Sequence, residues 1–472
     1  MSNTRNTQPE QTYNRFTLVA TLLTGGFISI LNQTLLATAT PHIMAEFDLT
    51  QSTGQWLTTV FMLVNGVMIP ITAFLIETFT TRKLFMTAMG LFTVGSAICG
   101  LAPSFAVLMV GRVVQASGAG IVLPLTMTVI FTVYPANRRG SAMGMVGLVI
   151  AFAPAIGPTL SGWIVENLPW QTMFFLMIVI ALADMVVAHR VLVNVTDRTF
   201  PKVDVTSICL SVIGFGGLLY GFSSAGNAGW SAPSVVISLA VGAITVTIFV
   251  LRQLKLPQPI LEFRVFGNRV FTIATIIGML TFMQLIGAET ILPIYMQNMA
   301  GFTALQSGLA IMPGAILMGI MNPIAGRLFD RFGSRWLVAI GLSLVTLTSV
   351  LFTRLALDTP FAFVAGVFGI RMLGLSMVLM PATTEGLNQL ELDLIPHGTA
   401  MNNTMRQISA SIGTALLVTV MTMAARDTGP SAAPSDLIHG VDVAFQVATV
   451  LAFAGLALAF FIPRREPAVA AE

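Results

Sequence analysis

Apolar residues run along this chain in long blocks, each closed by a short polar or charged segment, and the blocks recur to its end. Fourteen of them are long enough to cross about 30 Å of hydrocarbon as helices. They cover residues 16–40, 56–76, 84–102, 105–130, 141–164, 171–190, 204–222, 234–252, 270–296, 305–326, 336–355, 361–384, 399–422 and 441–463. The tightest division falls at the short turn around Ala102–Ser104. The pattern predicts an all-α polytopic membrane protein, because only helices satisfy their own backbone polar groups in lipid along such segments.

Composition agrees. Of 472 residues, 55% are hydrophobic and 9% charged, with a mean hydropathy of +0.85, against about 25% charged in soluble proteins. The polar start, MSNTRNTQPEQTYNR, has no cleavable signal pattern, so the first block is expected to remain a spanning helix. Charge then sets the orientation. With the N-terminus inside, eighteen of the 23 Lys and Arg residues fall in inner segments and only Arg354 and Arg426 outside, while Arg112, Arg371 and Arg406 lie within spans. This asymmetry places both ends in the cytoplasm and predicts a multi-pass protein of a cytoplasmic membrane. Trp56, Trp163, Trp170 and Trp230 fall at outer helix ends and Trp336 at an inner one, as an aromatic belt requires.

Several function classes drop out. A net charge of +3 without a basic stripe excludes nucleic acid as a partner. The four histidines are dispersed, with no nucleophile motif and no metal-ligand spacing, so neither enzyme chemistry nor a metal or other cofactor is expected. Cys99 and Cys209 read as small buried hydrophobes. No phosphate-binding loop is present to couple ATP, and no soluble sensor domain marks a receptor.

The segment GRLFDRFGSRWL at 326–337 concentrates Asp330, Arg327, Arg331 and Arg335 between two apolar runs, and reads as an inner loop. A second copy precedes it: PITAFLIETFTTRKL (70–84) aligns without a gap to PIAGRLFDRFGSRWL (323–337). Pro70 matches Pro323, Ala73 Gly326, Leu75 Leu328, Glu77 Asp330, Phe79 Phe332 and Arg82 Arg335. This repeat follows spans two and ten, which predicts two six-helix bundles. The expected organisation is a tail at 1–15, a bundle at 16–192, two inserted helices at 204–252, a second bundle at 270–463 and a tail at 464–472. Parallel halves of this kind are the architecture of secondary transporters, with a site between them. The repeated segment is suited to a conformational latch: Gly326 and Gly333 allow close approach, Glu77 or Asp330 can cap or salt-bridge a neighbouring helix, and Arg82, Arg331 and Arg335 can reach carbonyls or acids.

GRLFDRFGSRWL resembles the loop signature of the major facilitator superfamily. GRVVQASGAGIVLP (111–124) resembles its fourth-span motif, GLVIAFAPAIGPTLSGW (147–163) its antiporter motif in span five, and LNQTLLATATPHI (31–43) the first span of fourteen-span drug:proton antiporters. Within that group, of the EmrB/QacA kind, FTTR at 79–82 and NQTLL at 32–36 look most like the lincomycin-resistance branch. The resemblance implies the major facilitator fold with fourteen spans, in a bacterial cytoplasmic membrane. It also implies a role for Arg112 in proton transfer, and for Pro154, Gly157, Pro158 and Gly162 in the antiporter helix. The chain departs from the pattern at Ala73, Glu77, Thr78 and Thr80, where the family has Gly, Asp, Arg and Gly. It departs again at Asn32, where many relatives carry an acid.

Intramembrane acids cost roughly 2.5–3.5 kcal/mol on insertion scales and need a reason. Glu289, in MQLIGAETILPIY, is the leading candidate for proton coupling: a carboxyl in a partly dry cavity can exchange a proton against a cationic or polar substrate. Asn32 stands nine residues before Pro41, as Gln284 stands before Pro293, so spans one and nine are counterparts. Asp184 either couples protons, snorkels towards His189 and Arg190, or packs between helices. Arg112 either relays protons or anchors carbonyls, and Arg371 is its counterpart. Candidate cavity residues are Asn32, Gln33, Asn65, Gln115, Gln284, Met377, Asn402, Asn403 and Arg406, the last with Glu385 as another possible partner. Gly140, Gly144, Gly147, Ala151 and Ala155 form a small-residue face on span five for close packing. The expected function is proton-coupled export of small hydrophobic compounds, neutral or cationic, by a monomer in the lipid bilayer. The alternatives are an exporter of one metabolite, lipid or peptide and, more distantly, a receptor or intramembrane enzyme.

Overall fold

The computed structural model describes residues 14–196, 198–200, 203–425 and 434–463. The expected tails, save Asn14 and Arg15, lie outside the described residues, as do Arg5, Lys202, Arg426, Arg464 and Arg465. Helices follow in the order α1 (Arg15–Glu46), α2 (Gln51–Gly54), α3 (Trp56–Thr78), α4 (Thr81–Gly100), α5 (Phe105–Val133), α6 (Arg139–Asn167), α7 (Thr172–Val191) and α8 (Val205–Ala228). Then come α9 (Pro233–Lys255), α10 (Arg269–Asn298), α11 (Ala304–Phe332), α12 (Ser334–Phe352), α13 (Phe361–Asn388), α14 (Ile395–Ala424) and α15 (Pro434–Ala459). All but the single turn α2 are long and apolar enough to cross a membrane, fourteen spans in all.

Local chemistry sets the ends. Asn14 and Asn268 accept backbone N–H bonds at the starts of α1 and α10, and Thr303 with Gln306 forms a capping box at α11. α1 runs through Pro41 to Glu46, beyond the expected block, and α14 begins four residues early because Pro396 fits a first turn. One expectation is corrected. GRLFDRF is not a loop but the last turns of α11, and the whole turn into α12 is Gly333, at φ +79°, a conformation that favours glycine.

Helix α6 packs against α11, and α8 pairs with α9 while touching α3 and α14. The α8–α9 pair is tied at its base by Arg252, whose Nε and Nη2 donate to Asp204 at 2.9 and 3.1 Å. Those bonds hold the Asp204 carboxyl down at about 2. Trp56, Trp163, Trp230 and Trp336 are exposed at helix ends, but Trp170 is buried, donating to Glu46 at 2.5 Å, and is no belt residue. Cys99 is buried and Cys209 exposed, which corrects the second cysteine.

The two ends of the molecule differ. At the end that carries Arg82, Arg138, Arg139 and Arg331, α5, α13 and α14 are sealed: 124–131, 374–384 and 395–404 are buried throughout. Bonds between the two sets of six helices gather here. Thr128 and Thr399 hydroxyls lie 2.9 Å apart, Arg139 reaches Asn388 Oδ1 at 2.9 Å, and His397 Nε2 meets Glu77 Oε1 at 2.8 Å. α6 and α11 touch backbone to backbone. A Cβ on Gly326 would fall onto the Gly140 carbonyl, and one on Gly144 would meet Asn322 and Pro323.

Gly326→Val should therefore force this end apart. With cysteines at positions 128 and 399, disulfide formation is expected to fall about fivefold or more, from the 1–3 kcal/mol typical of overpacking. An unchanged yield would show that the glycine crossing does not hold the end shut.

Candidate functional site

At the sealed end, Asp330 sits on the N-terminus of α6. Its Oδ1 accepts from Gly140 N at 2.8 Å and its Oδ2 from Ser141 N at 2.8 Å and Ser141 Oγ at 2.5 Å. A carboxylate there meets orphan amides and the positive end of the helix dipole at once. Glu77, the matching residue of the first repeat, instead pairs with His397 at the start of α14. Each acid of the repeat thus crosses to the other six-helix set. The arginines do not follow this pattern. Arg82 donates to the Leu192 carbonyl at 2.6 Å, Arg331 lies over Phe332, and Arg335 has its Nε buried without a partner.

Away from this end, α10 presents Phe282, Ile286, Glu289 and Pro293 along one stripe at helical spacing, the first, second and fourth partly accessible and Glu289 exposed. Glu289 is the exposed member, yet it lies deep among the helices. A side chain that is surrounded by protein and still accessible faces a cavity. Of the amides expected there, Gln33 and Asn65 are partly accessible. Asn32, Gln115, Gln284, Asn402 and Asn403 are buried, and Met377 packs with Ala325, Phe329 and Leu337.

Three of the buried amides, Asn32, Gln115 and Gln284, serve arginines. Arg112 is wholly enclosed and donates from Nη1 to Asn32 Oδ1 at 2.8 Å and Gln115 Oε1 at 2.6 Å. Its Nε reaches the Leu57 carbonyl at 3.1 Å, and the guanidinium lies 4.2 Å from the Phe61 ring centre. Gln115 in turn donates to Ser96 at 2.7 Å. The second half repeats the device. Arg371 donates to Ser349 Oγ at 2.7 Å and to Gln284 Oε1 at 2.6 Å and its carbonyl at 3.0 Å, while Gln284 donates to the Ala448 carbonyl. Neither arginine forms an ion pair among the described residues. Sequence reasoning missed this because Asn32 and Gln284 stand on different helices from their arginines; their matched spacing from Pro41 and Pro293 was the available signal.

Asp184 is 6% exposed with Oδ2 unpartnered, while His189 and Arg190 are exposed. It packs inward instead of snorkelling, on a helix that touches α1 and α4. Arg406 is also 6% exposed, with its guanidinium 4.5 Å from the Phe282 ring centre, and has no ion pair with Glu385, whose Oε1 accepts from Gln389. In α6, Gly157 takes Thr34 of α1 in close contact and Ser161 donates to the Leu35 carbonyl at 2.7 Å. Pro154 and Pro158 are accommodated inside the unbroken helix, and Gly162 has open space beside it. Gly140, Gly144 and Gly147 face Gly326, Asn322 and Pro323 of α11.

Replacing Arg371 by Gln removes three donors from buried acceptors, each worth about 1.5–3 kcal/mol when the donor is charged. The thermal unfolding midpoint should drop clearly, and Arg371→Lys should not restore it, because an ammonium lacks the planar fork. Full rescue by Lys would show that charge alone matters at this site.

Comparison with known proteins agrees with this architecture. The Major Facilitator Superfamily model matches residues 22–414. The chain is 51% identical to the uncharacterized MFS-type transporter YcnB of Bacillus subtilis (strain 168), over 97% of this chain and 98% of that one. It is 40% identical to the lincomycin resistance protein LmrB of the same organism, over 96% and 97%, and 30% identical to the multidrug export protein EmrB of Haemophilus influenzae, over 85% and 79%. The crystal structure of the human organic anion transporter MFSD10 shares the fold with a TM-score of 0.70 at 12% identity, covering 96% of this chain and all of that one. The chain is a secondary transporter of the Major Facilitator Superfamily and belongs to the group that includes the lincomycin-resistance and multidrug-export proteins.

Proposed function

We propose that this protein exports hydrophobic compounds, neutral or cationic, in exchange for protons. The observation that carries the reading is Glu289: an accessible carboxyl, deep among the helices, on a stripe otherwise made of Phe282, Ile286 and Pro293. Apolar walls take a hydrophobic body, and a carboxyl changes its charge only by gaining or losing a proton, so a proton and a cationic substrate compete for it.

The cation-rich end is the cytoplasmic one by the positive-inside rule. Sealed there by Asp330 on α6 and Glu77 on His397, the molecule is facing outwards. In this state Glu289 takes a proton from outside and releases its substrate. Rocking of the halves would break the contacts at the cytoplasmic end and return the protonated carboxyl to the inside, where proton loss readmits substrate. The small-residue face of α6 against α11 supports such movement, since glycine contacts part without leaving polar groups unpaired. The lincomycin-resistance relative, 40% identical, supports antibiotics as one substrate class.

The test is proton flux from purified protein in pyranine-loaded liposomes under an imposed pH gradient, as lipophilic compounds are added singly to wild type and Glu289→Gln. A compound-dependent flux that disappears in the variant is expected. A flux that survives would move coupling to Asp184 or the arginines, and no flux with any compound would favour a narrow metabolite exporter.

A further inference from the structure

Three arginines are buried in the spans, and they are not alike. Arg112 and Arg371 each donate three hydrogen bonds to amide, hydroxyl or carbonyl oxygens. Among the described residues Arg406 donates none: its Nε and Nη1 are enclosed without a partner there, and Nη2, the nitrogen left unsealed, has none either. No ion pair among the described residues includes it. What fixes it is the face of Phe282 on α10, 4.5 Å from the guanidinium carbon to the ring centre. An ion taken out of water without hydrogen bonds is costly, and a guanidinium cannot shed its charge at any accessible pH.

The position of this unspent cation is informative. Phe282 is the deepest member of the α10 stripe, and Glu289 stands two turns outward on the same face, about 10 Å along the axis at 1.5 Å per residue. The cavity is therefore electrically graded, with an acid nearer its mouth and an unsatisfied guanidinium at its floor. On the same helix, Gly413 packs on Met283 of α10 and Gln407 comes close to Gly66 of α3, so α14 packs against both α10 and α3. A planar donor fork resting on an aromatic ring is suited to a carboxylate, or another oxyanion, attached to an apolar body.

We propose that Arg406 is a recognition point for the acidic group of a lipophilic ligand, whose apolar body lies on Phe282 and the α10 stripe. This extends the substrate class beyond neutral and cationic compounds, and it rests on the reading of this cavity as the substrate site. Arg406 binds here as a positioning and specificity residue, and Glu289 keeps its separate role.

The experiment is equilibrium dialysis of the purified full chain, in detergent near neutral pH, against three fluorescent probes of one shape: 2-naphthoate, 2-naphthylmethanol and (2-naphthylmethyl)trimethylammonium. Naphthoate is expected to bind wild type about tenfold more tightly than the alcohol, the factor that charge-assisted hydrogen bonds supply. Arg406→Gln should bring acid and alcohol to within about twofold, a loss of the charged donors. Arg406→Lys, which retains charge but not the fork, should keep part of the preference. A thermal unfolding scan of each variant confirms folding; should Arg406→Gln fail it, the wild-type ranking and Arg406→Lys decide the matter. Equal binding of the three probes, tightest binding of the ammonium, or an acid preference that survives Arg406→Gln would overturn the proposal while leaving the cavity as a substrate site. Binding of none would overturn both readings.

Discussion

The crossing of α6 and α11 governs the rest of this molecule. Gly140 and Gly326 let two backbones touch, and Asp330 then lies on the amides that begin α6. Any side chain larger than hydrogen at either glycine would hold the helices apart and lift the carboxylate off its donors. With the crossing made, Thr128 meets Thr399 and Arg139 meets Asn388, so the floor of the cavity closes behind them. The accessibility of Glu289 is the complement of that closure.

Buried charge is handled in two ways. Arg112 and Arg371 are neutralised by oriented dipoles in place of carboxylates, through Asn32, Gln115, Gln284 and Ser349. Amide oxygens carry no charge of their own to desolvate, so the cost of enclosing these guanidiniums is met without burying an anion. Each network links three or more helices of its half and makes it stiff. The halves can then move as units, with flexibility confined to the contacts between them.

The fourteen spans were legible because charge in lipid is expensive, which leaves Lys and Arg, apart from Arg112, Arg371 and Arg406, at or between helix ends. The matched acids Glu77 and Asp330 were legible as a repeat. Facing was not. In lipid both the outside and the core of a helix are apolar, so no polar stripe tells which side of α13 carries Met377, or that Asn402 and Asn403 turn inward to be buried. The same ambiguity hid Trp170 under Glu46 and let the end of α11 pass for a loop, since its arginines read as inner-loop charge although the backbone is helical as far as Phe332. Arg406 was legible as an intramembrane charge, but not as one without a partner, because only the fold shows which oxygens fail to reach it.

His397 has one more consequence. Its Nε2 donates to Glu77, while its Nδ1 accepts from the backbone N–H of Glu262, in the segment joining α9 to α10. A single imidazole thus fastens three parts of the chain: the end of α3, the start of α14 and the exit from the α8–α9 pair. The inserted pair also lies across α3 and α14, with Trp56 stacked on Tyr220 and Trp230 donating to Thr419 at 2.6 Å. It is built as a hinge pin with a seat in each half. Were the sealed end to open, α8 and α9 would have to travel with one half and slide on the other or surrender one of these fastenings, so the inserted pair couples to both halves.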